Sequence, residues 1–356
     1  MSKFTATFGV EHRSRAQLPQ NTDHWWAGVL GVAQFGLDLA PLDLTNIPVA
    51  AVALCPFGDT DALYEIWRAD GSMQAGTLGR VHYRCNAHLL FGCISIPESS
   101  QEDALANSLK ASTMAAYGQI FSALEATGYR QLVRVWNYVS DITQPTNDGE
   151  RYWLFNNARY ESFVASDRPV VEAAPAASAL GTPHGSPLVI YFLAKRSAAQ
   201  MLENPRQVSP YRYPTQYGPR SPTFSRAALL AEGGGTLMIS GTASIVGHET
   251  LHSGDAAAQT GETLANIGVL TDDANRRLVP DRFALERLTY KVYVRNAADL
   301  PTVEHVMRSL IGRQAPVAYL RADICRRDLL VEIEAVGAGV PLVHATPRGQ
   351  LCCTMA

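Results

Sequence analysis

The feature that most constrains this chain is that it repeats itself. One copy runs HLLFGCISI (88–96), a polar link, a helical stretch SLKASTMAAYGQIFSALEATG (108–128) and a strand-like QLVRVWNYVSDI (131–142). The other runs TLMISGTASIVG (236–247), a helical stretch AAAQTGETLANIGVLTDD (256–273) and a strand-like LTYKVYVRNAADL (288–300). Each copy is strand, loop, helix, strand. In the first helix Met114, Tyr117, Ile120, Phe121 and Leu124 recur at spacings of three and four, which marks a buried stripe. The strands alternate and are rich in Val, Tyr and Trp. The second copy continues with a helix over 301–312 and strands around 316–325 and 328–336. A duplication of this kind predicts two related α+β domains, each a mixed sheet backed by helices, with the natural site in the cleft between them.

The boundaries follow from composition. Residues 172–187, EAAPAASALGTPHGSP, read as linker chemistry. Residues 203–223 carry five prolines, which exclude helix and central strand. This stretch also holds Tyr211, Arg212, Tyr213, Tyr217 and Arg220, and long loops of that kind are often functional. The expected organisation is an N-terminal domain at 1–170 and a linker with the Pro/Tyr/Arg loop at 171–230. A C-terminal domain follows at 231–345, with a tail at 346–356.

Charge and cysteine content narrow the class. Lys+Arg is 30 against Asp+Glu 33, so no basic surplus points to nucleic acid. Six cysteines in 356 residues, none in a C-x-x-C pair, suit a reducing cytoplasm rather than a disulfide scaffold. No run of ~18 apolar residues occurs, so no membrane partner is expected. The string HETLH places His248 and His252 four apart, as in zinc peptidases. Gly247 before it and SGD after it make a long helix doubtful there, so no metal is expected.

The C-terminal copy resembles the YjgF/RidA superfamily through ISGTAS (239–244), AQTGETLANI (258–267), YKVYVRNAADLPTVEHV (290–306) and VEIEAV (331–336). The first copy resembles it more faintly. Two such domains on one chain, with SGTASIVGHET (240–250), YRYPTQYGPRSPTFSRA (211–227) and RVWNYVSDI (134–142), resemble the chorismatases. That resemblance implies a chorismate-mutase-like, pseudo-trimeric arrangement and release of pyruvate from chorismate without a cofactor. The second product is 3-hydroxybenzoate or, by hydrolysis, a dihydroxy-cyclohexadiene carboxylate. An imine or enamine deaminase is the alternative on the same fold. The partner is a small molecule, and the protein is a monomer or a weak trimer.

Cleaving an enol ether requires protonating its terminal methylene carbon, so the site needs a carboxylic acid of raised pKa and cations for two carboxylates. In LLVEIEAV, alternation puts Glu332 and Glu334 on one face and Val331, Ile333 and Ala335 on the other. Two acids on one face push one pKa upward. In the RidA-like pattern the first Glu faces the site, so Glu332 is the expected acid and Glu334 the second candidate. Arginine forks suit carboxylates. The candidates are Arg220 and Arg159, then Arg212, Arg226, Arg151 and Arg134, with Tyr213, Tyr217 and Asn156 as polar contacts. Gly241 and Ala243 would let a ring approach the backbone. Cys325, seven residues before Glu332 on the preceding strand of an expected hairpin, resembles the cysteine of the aromatising chorismatases. A glycine near Ala243 would mark that subgroup more clearly.

Overall fold

The computed structural model describes residues 8–19, 23–37, 42, 44–58, 60–98, 105–232, 235–278 and 283–338. The tail at 346–356, with Cys352 and Cys353, lies outside them. Among the described residues the chain forms three main sheets and two two-stranded ribbons. The first holds β1 (Phe8–Ser14), β2 (Val29–Phe35), β3 (Val49–Val52) and β4 (Leu63–Ala69), in the order β1-β4-β2-β3.

The second unit is β5 (Gln74–Leu78), β6 (Val81–Cys85), β7 (Leu89–Ile96), α1 (Leu105–Thr127), β8 (Gln131–Ser140), α2 (Arg151–Ala165), β9 (Ala176–Thr182) and β10 (Leu188–Lys195). The third is β11 (Gln200–Leu202), β12 (Ala227–Leu230), β13 (Thr236–Ala243), α3 (Ala256–Arg277), β14 (Thr289–Val294), α4 (Leu300–Ile311), β15 (Val317–Arg321) and β16 (Val331–Ala338). Their strand orders are identical: β5-β6-β7-β10-β8-β9 and β11-β12-β13-β16-β14-β15. In each, three antiparallel strands precede a helix. A parallel pair then flanks a second helix, and the last strand inserts between the third and fourth. The first sheet has the same order, pairing and strand directions for the last four of these positions, so it is a third, shortened copy.

The three copies interlock. Cys55–Pro56, just past β3, pairs with β15 of the third unit. Asp323–Ile324, just past β15, pairs with β9 of the second. The first copy thus extends the third's sheet, and the third extends the second's, around a pseudo-threefold axis.

The two-residue period of the strands divides the core. Val331, Ile333 and Ala335 of β16 pack under α3 and α4 with Leu264, Ile267 and Met307. The equivalent layer of the second unit lies under α1 and α2 around Tyr117, Ile120, Phe121 and Leu124. Met114, expected in that stripe, is 41% exposed. The opposite sheet faces meet one another in a layer containing Trp67, Trp136, Tyr138, Tyr191 and Tyr293.

A buried ion cluster pins that layer. Lys291 Nζ lies 2.5 Å from Glu65 and 2.7 Å from Glu334, and Arg134 lies 2.7 Å from Glu334. Tyr191 Oη and Trp136 Nε1 donate to the two carboxylates. Burial alone would raise Glu65, but Lys291 and then His12 outweigh it and hold the carboxyl well below its usual range. Burial alone would lower Lys291, and Glu334 and Glu65 reverse that.

The linker expected at 171–230 is redrawn by these contacts. β9 and β10 belong to the sheet of the second unit, β11 and β12 to that of the third. Residues 176–182 look like a linker because Ala, Ser and Gly leave room for α2 of their own unit and for β13 of the third. Residues 203–223 are irregular as expected, with two short 3-10 turns at Pro210–Arg212 and Thr215–Tyr217.

Candidate active site

Between the second and third units lies a cavity of about 300 Å³, continuous with an inner chamber of about 40 Å³. Both are lined by Glu332, Gly241, Cys325, Tyr152 and Phe224. Glu332 comes from β16 and points away from the helices, as the alternation requires. Gly241 and Ala243 come from β13. Tyr152, Asn156 and Arg159 lie at spacings of four and three on α2, which puts them on one helix face. The Pro/Tyr strap contributes Tyr213 and Tyr217, and Arg226 follows it.

Glu332 is 4% exposed. Burial first, and the Glu334 charge second, push its carboxyl up to about 8 against the pull of Arg134, Arg226 and Arg295. It is therefore a neutral acid at neutral pH. Its fit against the backbone is close: a Cβ on Gly241 would lie 1.9 Å from Glu332 Oε1. The Cys325 thiol, buried beside that acid, is pushed up to about 12, chiefly by burial, and stays protonated.

Buried donors without a partner surround the acid. They are Asn156 Nδ2 and Arg159 Nη2 in the inner chamber's wall, and Arg226 Nε and Arg326 Nη2 in the outer one's. Each arginine is held elsewhere. Arg159 Nε donates to Tyr117 Oη at 2.7 Å and Nη1 to the Thr223 carbonyl. Arg226 Nη2 donates to Tyr213 Oη at 2.7 Å. Arg326 donates to the His248 carbonyl and sits 3.8 Å above the Tyr217 ring. Fixed cations with spare buried N–H groups are a preorganised receptor for an anion with a charge at each end.

The other candidates lie elsewhere. Glu334 and Arg134 neutralise each other in the central ion cluster, away from the cavity. Arg151 is buried on Glu98 at 2.6 Å. Arg212 and Arg220 are exposed, Arg220 over the Tyr160 ring. Cys325 reaches the cavity by another route than a hairpin. β15 pairs with β14, and the chain then crosses to β9 before returning as β16. HETLH spans a two-strand hairpin, Ile245–Val246 with Glu249–Thr250, so its two imidazoles do not share a helix face. The sequence reading passed over Tyr152, Arg326 and Arg327. The two arginines directly follow Cys325, and that adjacency was the available signal.

A neutral carboxyl at the seam of repeated α+β units, facing fixed cations, has the chemistry needed to deliver a proton to a small anion. The family described as chorismatase FkbO/Hyg5-like, N-terminal, matches residues 65–194. A chorismatase of Streptomyces rapamycinicus is 39% identical over 289 residues, covering 79% of this chain and 84% of that protein. A 3-hydroxybenzoate synthase of Streptomyces hygroscopicus is 36% identical, covering 76% and 80%. A chorismatase crystal structure superposes with a TM-score of 0.82 at 33% identity, covering 94% of this chain and 99% of that one. The chain belongs to the chorismatase family.

Proposed function

We propose that this enzyme cleaves the enolpyruvyl ether of chorismate to pyruvate and 3-hydroxybenzoate, with Glu332 as the acid. The observation that carries the reading is a carboxyl kept protonated at neutral pH between two sets of unpartnered buried N–H donors, each with at least one arginine. The small inner chamber suits the three-carbon enolpyruvyl group, its carboxylate on Arg159 and Asn156. The outer cavity suits the ring, its carboxylate on Arg226 and Arg326, with Tyr213 and Tyr217 holding those arginines.

Glu332 gives its proton to the methylene carbon, and the ether carbon becomes an oxocarbenium ion. Attack by water gives a hemiketal that loses pyruvate before the ring aromatises. Attack by the ring hydroxyl gives a cyclic ketal, and pyruvate leaves as the ring loses a proton, which restores Glu332, and its carbon–oxygen bond breaks. Aromatisation then expels whatever water the attack brought in, so the two products together account for every atom of chorismate. The neutral Cys325 thiol and the apolar Phe224, Ala243 and Ile245 give the ring a wall with little to hold water, which supports the aromatic product.

The test is incubation with chorismate, enzymatic assay of pyruvate and chromatography of the ring product. A dihydroxy-cyclohexadiene carboxylate would replace the aromatic assignment, and no pyruvate would overturn the reading. Glu332→Gln is expected to lower kcat by about 10²–10⁴-fold, the usual worth of a general acid. Two further readings accompany this one. Three copies around one axis complete the ring within a chain, which supports a monomer, testable by sedimentation. No helix among the described residues is long and apolar enough to cross a membrane. The free thiols Cys55, Cys85, Cys93 and Cys325 support a cytoplasmic setting.

A further inference from the structure

The acid rests on an irregularity in β13. Ile239 pairs with Ala335 and Thr242 with Ile333, so three steps on β13 match two on β16. The extra residue is a bulge at Ser240–Gly241, the kind of device that re-aims a neighbouring side chain. It takes both residues' N–H groups out of the β13–β16 ladder. Ser240 N–H donates to the Arg226 carbonyl at 2.9 Å. Gly241 N–H donates across the seam to Ser178 Oγ of β9 at 2.9 Å.

Ser178 is 3% exposed and its hydroxyl is fully engaged. It donates its one hydrogen to Glu334 Oε2 at 2.6 Å and accepts from Arg134 Nη2 at 2.6 Å as well as from Gly241. The Cβ that would strike the Glu332 carboxyl from Gly241 would also come within 3.0 Å of Ser178 Oγ. Gly241 is thus held between the hydroxyl of one unit and the acid of the other. The same bulge is tied a second time, because Ser240 Oγ donates to the Ser225 carbonyl and accepts from Ala177 N–H.

We propose that Ser178 is a positioning residue for the acid: its hydroxyl clamps the Gly241 bulge beneath Glu332 and couples it to the Glu334–Arg134 pair. The inference rests on the reading of Glu332 as the proton donor. Without the hydroxyl, the half-buried Gly241 N–H loses the acceptor that holds it across the seam. The bulge then relaxes and the carboxyl drifts toward the cavity arginines. The charges acting on Glu332 are Glu334 on its own strand, Arg134 from β8, Arg226 ahead of β12 and Arg295 after β14, while Cys325, Tyr152 of α2, Arg159 and Arg326 line the cavities with it. A carboxyl moving from Glu334 toward cations holds its proton less well.

The experiment measures kcat, KM and the pH profile of pyruvate release for wild type, Ser178→Ala and Ser178→Thr, with thermal melts. In Ser178→Ala, kcat is expected to fall about tenfold or more with KM within about twofold, as for a loss felt only in the transition state. The alkaline limb of its profile shifts to lower pH. Ser178→Thr, which keeps the hydroxyl, restores kcat and the limb. An unchanged kcat and limb in Ser178→Ala, or equal impairment of both variants, overturns the proposal. If Ser178→Ala does not fold, Ser178→Thr decides: near wild-type kcat supports the clamp, and a folded but inactive protein overturns it. Absence of pyruvate with the wild type would instead remove the acid reading beneath it.

Discussion

At the scale of single residues, the acid's environment dictates its pH behaviour. With Glu332 as the proposed proton donor, only its protonated form would act, so kcat/KM for pyruvate release is expected to be level well below pH 8 and to fall about tenfold per pH unit above about 8. The same shift affects stability with a definite sign. The folded value lies above the ordinary 4.5, so the contribution is fully present below that and is lost as pH rises through about 8. Glu332→Gln, which never charges, therefore gains thermal stability relative to wild type between about pH 5 and about pH 9. Melting curves at those two pH values check this. Gly241→Ala pushes a methyl into the Glu332 carboxyl and is expected to lower kcat by about 10²-fold, as misplacement by an ångström does. Steady-state kinetics on the folded variant check it.

The same residues show what a sequence can reveal. Gly241 and Ala243 were legible as small side chains on a strand, and Glu332 from alternation together with the RidA-like pattern. Cys325 was near the acid as expected, but not through the hairpin that suggested it. Arg134 was misplaced because its partner, Glu334, is 200 residues away. Which arginine is consumed by an internal carboxylate and which is left for a ligand is a property of the assembled seam.

At the scale of elements, the duplicated helices and strands were readable from periodicity, while β9 was not. Ala176–Thr182 carries small residues because it passes between α2, β13 and the bulge, and smallness alone resembles linker composition. The short first copy escaped notice for a related reason. It has the sheet order of the others but only a five-residue helix, Asp23–Ala27, between its first two strands, so there is no long periodic stretch to match. α2 shows the opposite case: Tyr152, Asn156 and Arg159 line up on one face as soon as the helix is granted.

For the whole molecule, stability depends on the ion cluster joining all three copies. Lys291→Met removes the cation between Glu65 and Glu334 and leaves two buried carboxylates with less compensation. The expected loss is about 3–5 kcal/mol, measured by urea unfolding. The threefold arrangement has a further consequence. Glu65, Tyr191 and Glu334 occupy matching places on the last strand of each copy, meeting around the axis. Counting back two residues gives Leu63, Val189 and Glu332. A ring of three identical chains would have to arm all of its seams or none. In a single chain each seam has its own residues, and here two present Leu63 and Val189 at that place while one presents an acid. Among the described residues one seam of three carries the acid, so with Glu332 as the proposed donor one tight-binding inhibitor per chain should extinguish activity without cooperativity.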